Sequence, residues 1–273
     1  MADASISTTL THDLADLAES IALEAAELAM RRRRAGVEIA GRKSSIVDVV
    51  TAADQEVEAL IRARLAEARP DDGFLGEESG TAAGTSGLTW VVDPIDGTVN
   101  YLYGSSQYGI SIAVVAGAPD PATWVPVAGV VVAPATGEVF RAEHGGGATR
   151  NGVPLRVGAP ASLAESLVAT GFGYTAERRS EQIRVLGGLI AEVRDIRRVG
   201  AASLDLCAVG TGVVDAYFER GINPWDMAAG TMVAEEAGAV VTSWASGDAR
   251  TYVVASPTIA GELTARVRSH ESS

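Results

Sequence analysis

Hydrophobic residues recur at helical spacing in the N-terminal part of the chain. Leucine, isoleucine and alanine return every three or four positions over residues 13–34, and Gly36 follows. The same spacing recurs over residues 51–68, and Pro70 comes next. Apolar residues with this period form one face of a helix, and glycine or proline just beyond them is typical of a helix end. The pattern therefore predicts two amphipathic helices.

From residue 89 onward the hydrophobic pattern becomes that of strands. Short apolar runs at 90–92, 108–115, 127–132 and 138–142 are separated by turns rich in glycine and proline. Because these runs follow one another so closely, they predict an antiparallel meander. Farther on, we predict helices at 180–192, 202–210, 228–237 and 258–268, and strands at 196–199, 215–219 and 252–255. The whole pattern predicts an α+β fold.

Length and composition indicate one globular unit. We predict a single unit over residues 1–273, with approximate halves 1–155 and 156–273, because no repeat or linker interrupts the chain. The only cysteine, Cys207, cannot form an intrachain disulfide, and we expect it in the core. The N-terminus lacks an export signal, and polar residues interrupt the uncharged stretch 97–119, so we expect a cytoplasmic protein without a membrane span.

The net charge of −13, from 22 Lys+Arg and 35 Asp+Glu, limits the partners of the chain. Acidic surfaces repel nucleic-acid phosphates and anionic lipids, so general binding to either is unexpected. The one basic run, residues 31–34, is four arginines at a predicted helix end. There a solvated turn that complements the helix dipole is the simpler interpretation, and an RNA- or protein-docking patch is the alternative.

Acidic residues gather where apolar strands end. Asp93 and Asp96 follow the run 90–92, and Pro94 between them turns the chain, so both can face one point. Such oxygen ligands suit Mg²⁺, and a helix start at Gly97 and Thr98 would offer backbone N–H groups to a phosphate. Each piece alone is an ordinary turn or helix cap, but together they predict a site for a metal and a phosphate.

Four motifs carry a resemblance to a known family. They are Lys43-Ser44-Ser45 with Asp48-Val49-Val50-Thr51 and Asp54; Gly76-Glu77-Glu78-Ser79; Asp93-Pro94-Ile95-Asp96-Gly97-Thr98; and Trp225-Asp226-Met227-Ala228-Ala229-Gly230. With these motifs in this order, the chain resembles the inositol monophosphatase family of Mg²⁺-dependent, lithium-sensitive phosphatases. The resemblance implies a layered αβαβα sandwich, of the type shared with fructose-1,6-bisphosphatase, and a homodimer.

The resemblance also implies roles for individual residues, with two or three Mg²⁺ ions per site. It implies metal ligands at Glu77, Glu78, Asp93, the backbone carbonyl of Ile95, Asp96 and Asp226. It implies that Glu77 and the pair Asp54–Thr98 orient the attacking water. It implies substrate-binding positions at Gly97, Thr98, Gly200, Ala202, Glu219 and Asp226. Thr51 and Asp54 also fit a helix-capping motif, which is an alternative role for Asp54.

The function that follows is Mg²⁺-dependent hydrolysis of a small phosphate monoester by in-line attack of a metal-activated water. Inositol 1-phosphate is the leading substrate. Histidinol phosphate, fructose 1,6-bisphosphate and 3′-phosphoadenosine 5′-phosphate are alternatives within the same chemistry. A regulator that binds RNA or the transcription machinery is the alternative of another class. The negative charge does not exclude an anionic substrate, because bound Mg²⁺ reverses the local sign.

Overall fold

A computed structural model describes residues 7–37, 39–42 and 49–272. The motif residues from Lys43 to Asp48 therefore lie outside the described part of the chain. The first helix is α1 (Thr8–Ala35), and a two-stranded antiparallel sheet of β1 (Ile39–Arg42) and β2 (Val49–Thr51) leads into α2 (Ala52–Ala68). Both predicted N-terminal helices are thus present, and α1 is longer at each end than the pattern indicated.

An eight-stranded sheet follows α2. Its strands are β3 (Gly73–Gly76), β4 (Gly80–Ala82), β5 (Leu88–Asp96), β6 (Gly109–Ala116), β7 (Val125–Ala133), β8 (Glu138–Glu143), β9 (Gly147–Arg150) and β10 (Val153–Pro154). The order is β10-β9-β8-β7-β6-β5-β3-β4. Strands β5 to β10 form the predicted antiparallel meander, whereas β3 pairs with β5 in parallel. The short helix α3 (Thr98–Leu102) joins β5 to β6.

A second sheet and the remaining helices complete the layers. The sheet has β11 (Leu167–Thr170), β12 (Asp195–Arg197), β13 (Ala216–Arg220), β14 (Val240–Ser246) and β15 (Ala249–Ala255), in the order β12-β11-β13-β15-β14. The helices are α4 (Ala176–Leu189), α5 (Ala202–Gly210), α6 (Pro224–Glu236) and α7 (Ala260–Glu271), and a short 3-10 helix spans Leu163–Glu165.

Alternate residues of the central strands enter different cores. Trp90 and Val92 pack toward α1 and α2, while Val91 between them packs toward α6. This is the period of two expected for a strand that is covered on both faces. On the far side of α5 and α6 lies the second sheet, and its outer face packs on α4 and α7. The order of layers is therefore αβαβα, which confirms the predicted fold class.

Several predicted elements begin or end elsewhere. The helix predicted at 180–192 is α4, which starts at Ala176 because the Thr175 side chain accepts the N–H of Arg178 and caps it. The helix predicted at 228–237 begins at Pro224. Strand β14 was not predicted, because apolar and polar residues do not alternate clearly along its sequence. Cys207 is buried, as predicted.

The arginine run is only partly solvated. Arg33 is partly buried, donates to the carbonyl of Ser105, and its guanidinium lies 5.5 Å from the ring centre of Tyr101 and 4.8 Å from that of Tyr108. The interpretation as a fully solvated turn is therefore wrong at this position. Cation–π contacts of this kind stabilise the packing of α1 on α3 and β6. The other three arginines are exposed, and Arg32 pairs with Glu56.

Among the helices in the described ranges, none combines the length and the hydrophobicity that a bilayer span requires.

Candidate metal and substrate site

A bulge in β5 places Asp93 and Asp96 on one face of the sheet. Asp93 pairs with Ser111 of β6, and Asp96 pairs with Gly109, so one extra residue is inserted into β5. Side chains three positions apart in a regular strand point to opposite faces, and the extra residue removes this opposition. The N–H of Ile95 donates to Asp93 Oδ1 at 3.1 Å and holds the turned segment. The sequence prediction that both acids face one point is met by this geometry.

Asp226 joins these two acids from the first turn of α6. The helix has Asn223 as its N-cap, and Asp226 Oδ2 accepts the N–H of Asn223 at 2.9 Å. The helix therefore begins two residues before Asp226, which lies in its first turn. One carboxylate oxygen from each of Asp93, Asp96 and Asp226 lies within 4.8 Å of the others. Two distant parts of the sequence thus meet in one acidic cluster.

Glu77 and Glu78 follow β3, and the structure places them differently. The N–H of Glu77 donates to the carbonyl of Val92 at 3.2 Å, and its side chain hydrogen-bonds to Asp93. Glu78 is partly exposed and does not belong to the three-carboxylate cluster. Its backbone N–H donates to the carboxylate of Glu58 at 2.8 Å. Glu77 is thus in contact with the cluster through Asp93.

The electrostatics of the cluster call for a cation. Burial, together with the charges of Glu77 and neighbouring aspartates, raises the pKa of Asp93 and of Asp226 well above the usual range. Burial also raises the pKa of Asp96 to about 6. A divalent cation would keep such carboxylates ionised, and hard oxygen donors at this spacing suit Mg²⁺. The residues present therefore fit a metal site.

Asp96 also caps α5, which belongs to another layer. Its carboxylate accepts the N–H of Ala202 at 3.2 Å, and the N–H and hydroxyl of Ser203, the former at 2.7 Å. The N-cap residue of α5, Ala201, has no side-chain acceptor, so Asp96 satisfies these N–H groups instead. Ser203 was not predicted. The sequence feature that could have indicated it is the presence of a serine in the first turn of α5, a helix that was predicted correctly.

Asp54 combines the two roles that the sequence left open. Its Oδ2 accepts the N–H of Thr51 at 2.9 Å in a complete capping box at the start of α2. Its Oδ1 accepts the hydroxyl of Thr98 at 3.1 Å, and that hydroxyl also lies 3.2 Å from the carbonyl oxygen of Ile95. Burial raises the pKa of Asp54 to about 6, although hydrogen bonds from Thr51 oppose this. The capping interpretation and the pairing with Thr98 are both correct.

Gly97 brings α3 close to the segment before α5. Its φ of 87° lies in the left-handed region, and a Cβ there would come within 3.1 Å of the Gly200 carbonyl oxygen and Ala201 Cβ. Only glycine meets both demands without strain. The helix start predicted at Gly97 and Thr98 is present, and Gly200 lies directly opposite it.

A cavity of about 380 Å³ opens beside the acidic cluster. The predicted residues that line it are Glu77, Asp96, Gly97, Gly200, Ala202, Glu219 and Asp226. Tyr174, Arg178 and Tyr217 also line it, and so do Arg198 and Asp205, which were not predicted. No local pattern indicated Arg198 and Asp205, because they come from separate elements of the second half.

Glu219 lies on β13 at the wall of this cavity. Burial raises its pKa to about 7, and the hydroxyl of Tyr217, which donates to Glu219 Oε2, opposes the rise. Asp205 lies nearby on α5, and burial together with the charge of Asp96 raises its pKa to about 8. The cavity thus has an acidic cluster at one end and buried hydrogen-bonding carboxylates along its wall. Such an arrangement suits a metal-bound phosphate with a hydroxyl-rich group attached.

Comparison with known proteins gives the same result over nearly the whole chain. The model of the inositol monophosphatase family matches residues 11–272. The curated inositol-1-monophosphatase SuhB of Mycobacterium tuberculosis is 42% identical over 93% of each chain. The protein named Nus factor SuhB of Vibrio cholerae is 38% identical over 73% of each chain.

The solved structures agree with the sequence comparisons. The structure of Mycobacterium tuberculosis SuhB matches with a TM-score of 0.80 at 39% identity, over 95% of this chain and 97% of that one. The family and the fold predicted from the four motifs are therefore confirmed. The chain belongs to the inositol monophosphatase family and is a phosphatase.

Proposed function

We propose that the protein hydrolyses inositol 1-phosphate, a small phosphate monoester, to inositol and phosphate in a Mg²⁺-dependent reaction. The observation that carries the proposal is the convergence of Asp93, Asp96 and Asp226 within 4.8 Å at the end of a cavity. The name of the Mycobacterium tuberculosis relative supports the choice of substrate. Inhibition by Li⁺, a homodimeric state and a cytoplasmic location belong to the same proposal and rest on the family resemblance.

In this proposal the acidic cluster holds Mg²⁺. The ligands are Glu77, Asp93, the carbonyl oxygen of Ile95, Asp96 and Asp226, with Glu78 acting through water. When bound, Mg²⁺ supplies Lewis-acid catalysis and neutralises charge on the phosphoryl oxygens. Either two or three ions are compatible with this number of oxygen donors.

The residues of the chain then orient the reactants. The carboxylate of Asp54 accepts the hydroxyl hydrogen of Thr98, so the lone pairs of Thr98 Oγ1 face away from it and accept a hydrogen bond from the attacking water. Glu77 orients the same water, which attacks phosphorus in line with the leaving alkoxide. The backbone at Gly97 and Thr98 receives the phosphate. No covalent phospho-enzyme is formed.

The polyol is bound on the other side of the cavity. Glu219 accepts hydrogen bonds from its hydroxyl groups, and Gly200, Ala202 and Asp226 complete this part of the site. The N–H of Ala202 is shared with Asp96, so substrate and carboxylate compete for that donor. Hydroxyl-rich substrates fit a wall of buried carboxylates because each carboxylate oxygen accepts more than one hydrogen bond.

The substrate is tested with a panel of four phosphates. Phosphate release is measured with inositol 1-phosphate, histidinol phosphate, fructose 1,6-bisphosphate and 3′-phosphoadenosine 5′-phosphate, in Mg²⁺, in EDTA and in Mg²⁺ with added Li⁺. We expect the highest kcat/KM for inositol 1-phosphate, loss of activity in EDTA and inhibition by Li⁺. A higher kcat/KM for another member would replace the substrate, and no release from any member would contradict the proposed reaction.

Replacing Tyr217 with phenylalanine is expected to weaken polyol binding. The substitution removes the hydroxyl that donates to Glu219, so the pKa of Glu219 rises further and less of the carboxylate is ionised at neutral pH. Loss of one hydrogen bond to a charged group corresponds to an increase in KM for inositol 1-phosphate of about tenfold. The shift is measured as KM against pH, and p-nitrophenyl phosphate serves as a substrate without polyol hydroxyls.

Tyr252→Phe is the matched control for this experiment. Tyr252 is a buried tyrosine on the neighbouring strand β15, and it does not line the cavity. We expect its KM to stay at the wild-type value. Equal increases in KM for both variants, or for both substrates, would contradict a role of Tyr217 in orienting Glu219.

A regulatory function has weaker support. The name Nus factor SuhB of the Vibrio cholerae relative favours it. Within the arginine run, however, Arg31 pairs with Glu27, Arg32 pairs with Glu56 and Arg33 packs on two tyrosines, which leaves Arg34 as the most available cation of the four. Binding to nucleic acid therefore remains the less favoured alternative.

A further inference from the structure

Helix α2 carries two buried carboxylates one turn apart. Asp54 is 0% exposed and Glu58 is 2% exposed, and residues four positions apart lie on the same face of a helix. The proposed reaction uses Asp54 through Thr98. The reaction as proposed above gives no role to Glu58. Burying a carboxylate is costly unless its oxygens accept hydrogen bonds, so the partners of Glu58 are of interest.

Both oxygens of Glu58 accept backbone N–H groups from the turn that follows β3. Glu58 Oε2 accepts the N–H of Glu78 at 2.8 Å, and Oε1 accepts the N–H of Ser79 at 2.7 Å. A Cβ on Gly76 would lie 2.5 Å from Glu58 Oε2, so the glycine allows the carboxylate to approach the backbone. Glu58 is therefore held against the whole turn 76–79 rather than against one side chain.

This contact restrains the turn 76–79 from the side of α2. On its other side, the turn is tied to β5 by the bond from the Glu77 N–H to the carbonyl of Val92. Beyond that bond, β3 leaves the parallel ladder and enters the short hairpin to β4. Glu77 thus lies between an anchor on β5 and the two charge-assisted bonds from Glu58, which are stronger than neutral ones.

We propose that Glu58 is a positioning residue that fixes the Glu77–Glu78 turn against the acidic cluster and thereby sets its affinity for divalent metal. This inference rests on the proposed function, because it assumes that Glu77 is a metal ligand. Glu58 neither lines the cavity nor belongs to the three-carboxylate cluster, so in this proposal it acts through the turn that it holds. It is the counterpart of Asp54, which holds the Asp93–Thr98 segment from the same helix face.

The test is Glu58→Gln, a nearly isosteric change. The amide places an NH₂ group opposite one of the two backbone N–H donors, so one bond is lost and replaced by repulsion. Loss of an outer partner of a metal ligand lowers metal affinity by about 10- to 100-fold. We therefore expect Mn²⁺ to bind at least tenfold more weakly, measured by calorimetry without substrate. We also expect a similar rise in the Mg²⁺ concentration for half-maximal activity, with KM near the wild-type value at saturating Mg²⁺.

Glu67→Gln is the matched control, because Glu67 is an exposed glutamate on the same helix. It should bind Mn²⁺ as the wild type does. Metal affinity equal to wild type in a folded Glu58→Gln variant would overturn the inference. If that variant does not fold, Glu58→Asp replaces it. This change keeps the charge but shortens the reach, and wild-type Mn²⁺ affinity in it would equally overturn the inference.

Failure of the proposed function has a different signature. In that case the wild-type protein itself would not bind Mn²⁺ or would release no phosphate in Mg²⁺. If the wild type binds and hydrolyses normally while Glu58→Gln matches it in both measurements, only the role of Glu58 is rejected.

Discussion

Asp93→Asn is expected to lower kcat by about three orders of magnitude, because each 1.4 kcal/mol of lost transition-state stabilisation is a factor of ten and metal catalysis supplies several kcal/mol. Asp93 is buried, is hydrogen-bonded to Glu77 and shares the cluster with Asp96 and Asp226. The asparagine keeps the shape of the side chain but removes the charge that would hold Mg²⁺. The measurement is single-turnover and steady-state phosphate release at saturating Mg²⁺.

Asp93→Asn should retain its fold, so that a loss of activity can be distinguished from a loss of structure. Burial and neighbouring carboxylates already disfavour the ionised form of Asp93, so a neutral side chain suits the metal-free protein. Without metal we expect Asp93→Asn to unfold at or above the wild-type temperature at about pH 8. Asp13→Asn, on the exposed side of α1, is the control for a simple loss of charge. A folded Asp93→Asn variant with near wild-type activity would refute the assignment.

The metal-free protein is expected to lose several kcal/mol of stability as the pH rises from about 5 to about 8, because each unit of raised pKa costs about 1.4 kcal/mol on ionisation. Burial raises the pKa of Asp54 to about 6, of Glu219 to about 7 and of Asp205 to about 8, from ordinary values of 3.8, 4.5 and 3.8. In this window the folded state binds more protons than the unfolded state, so the free energy of unfolding falls as pH rises. Carboxylates with a lowered pKa, such as Asp16, act in the opposite sense only at lower pH.

Mg²⁺ should offset this loss, and more strongly at about pH 8 than at about pH 5, because it binds the ionised forms of Asp93, Asp96 and Asp226, whose pKa values burial also raises. A free concentration 100 times the dissociation constant adds about 2.7 kcal/mol to the free energy of unfolding. Urea unfolding at both pH values in EDTA and in Mg²⁺ measures the effect, and NaCl at equal ionic strength is the control. Stability in EDTA that increases across this pH range, or a Mg²⁺ effect that is equal at both pH values, would contradict the electrostatic account.

The sequence pattern predicted helices and strands correctly where the apolar residues of an element lie on one face. The meander and the helix α5 follow from the spacing of apolar residues and glycines, and the meeting of Asp93 with Asp96 was predicted from Pro94 between them. The physical cause proved to be a bulge in β5, which depends on its pairing with β6. A bulge is a property of two strands, so one strand's sequence does not reveal it.

The functional residues that were not predicted make their contacts with residues far away along the chain. Ser203 meets Asp96 from 107 positions away, and the Glu58 carboxylate meets Ser79 from 21. Periodicity tells which face of a helix is buried, but it does not tell which element that face will meet. Of these residues, Glu58 was the easiest to predict from the sequence, because it follows Asp54 by one helical turn. The division of the chain into halves 1–155 and 156–273 stays a prediction.

Because of the bulge in β5, the site depends on the number of residues between Asp93 and Asp96 as well as on their identity. Asp93 and Asp96 face the same way only because β5 has one residue more than β6 between their pairing partners. A deletion of one residue between them would restore the regular alternation with Asp96 still opposite Gly109, so both acids would keep one face and the start of α3 would stay in place. The turned segment would be lost, however, and with it the N–H that donates to Asp93 and the carbonyl oxygen that lies 3.2 Å from the hydroxyl of Thr98. Among relatives, an insertion or deletion in this segment is therefore a better sign of lost activity than a single conservative substitution elsewhere in the sheet.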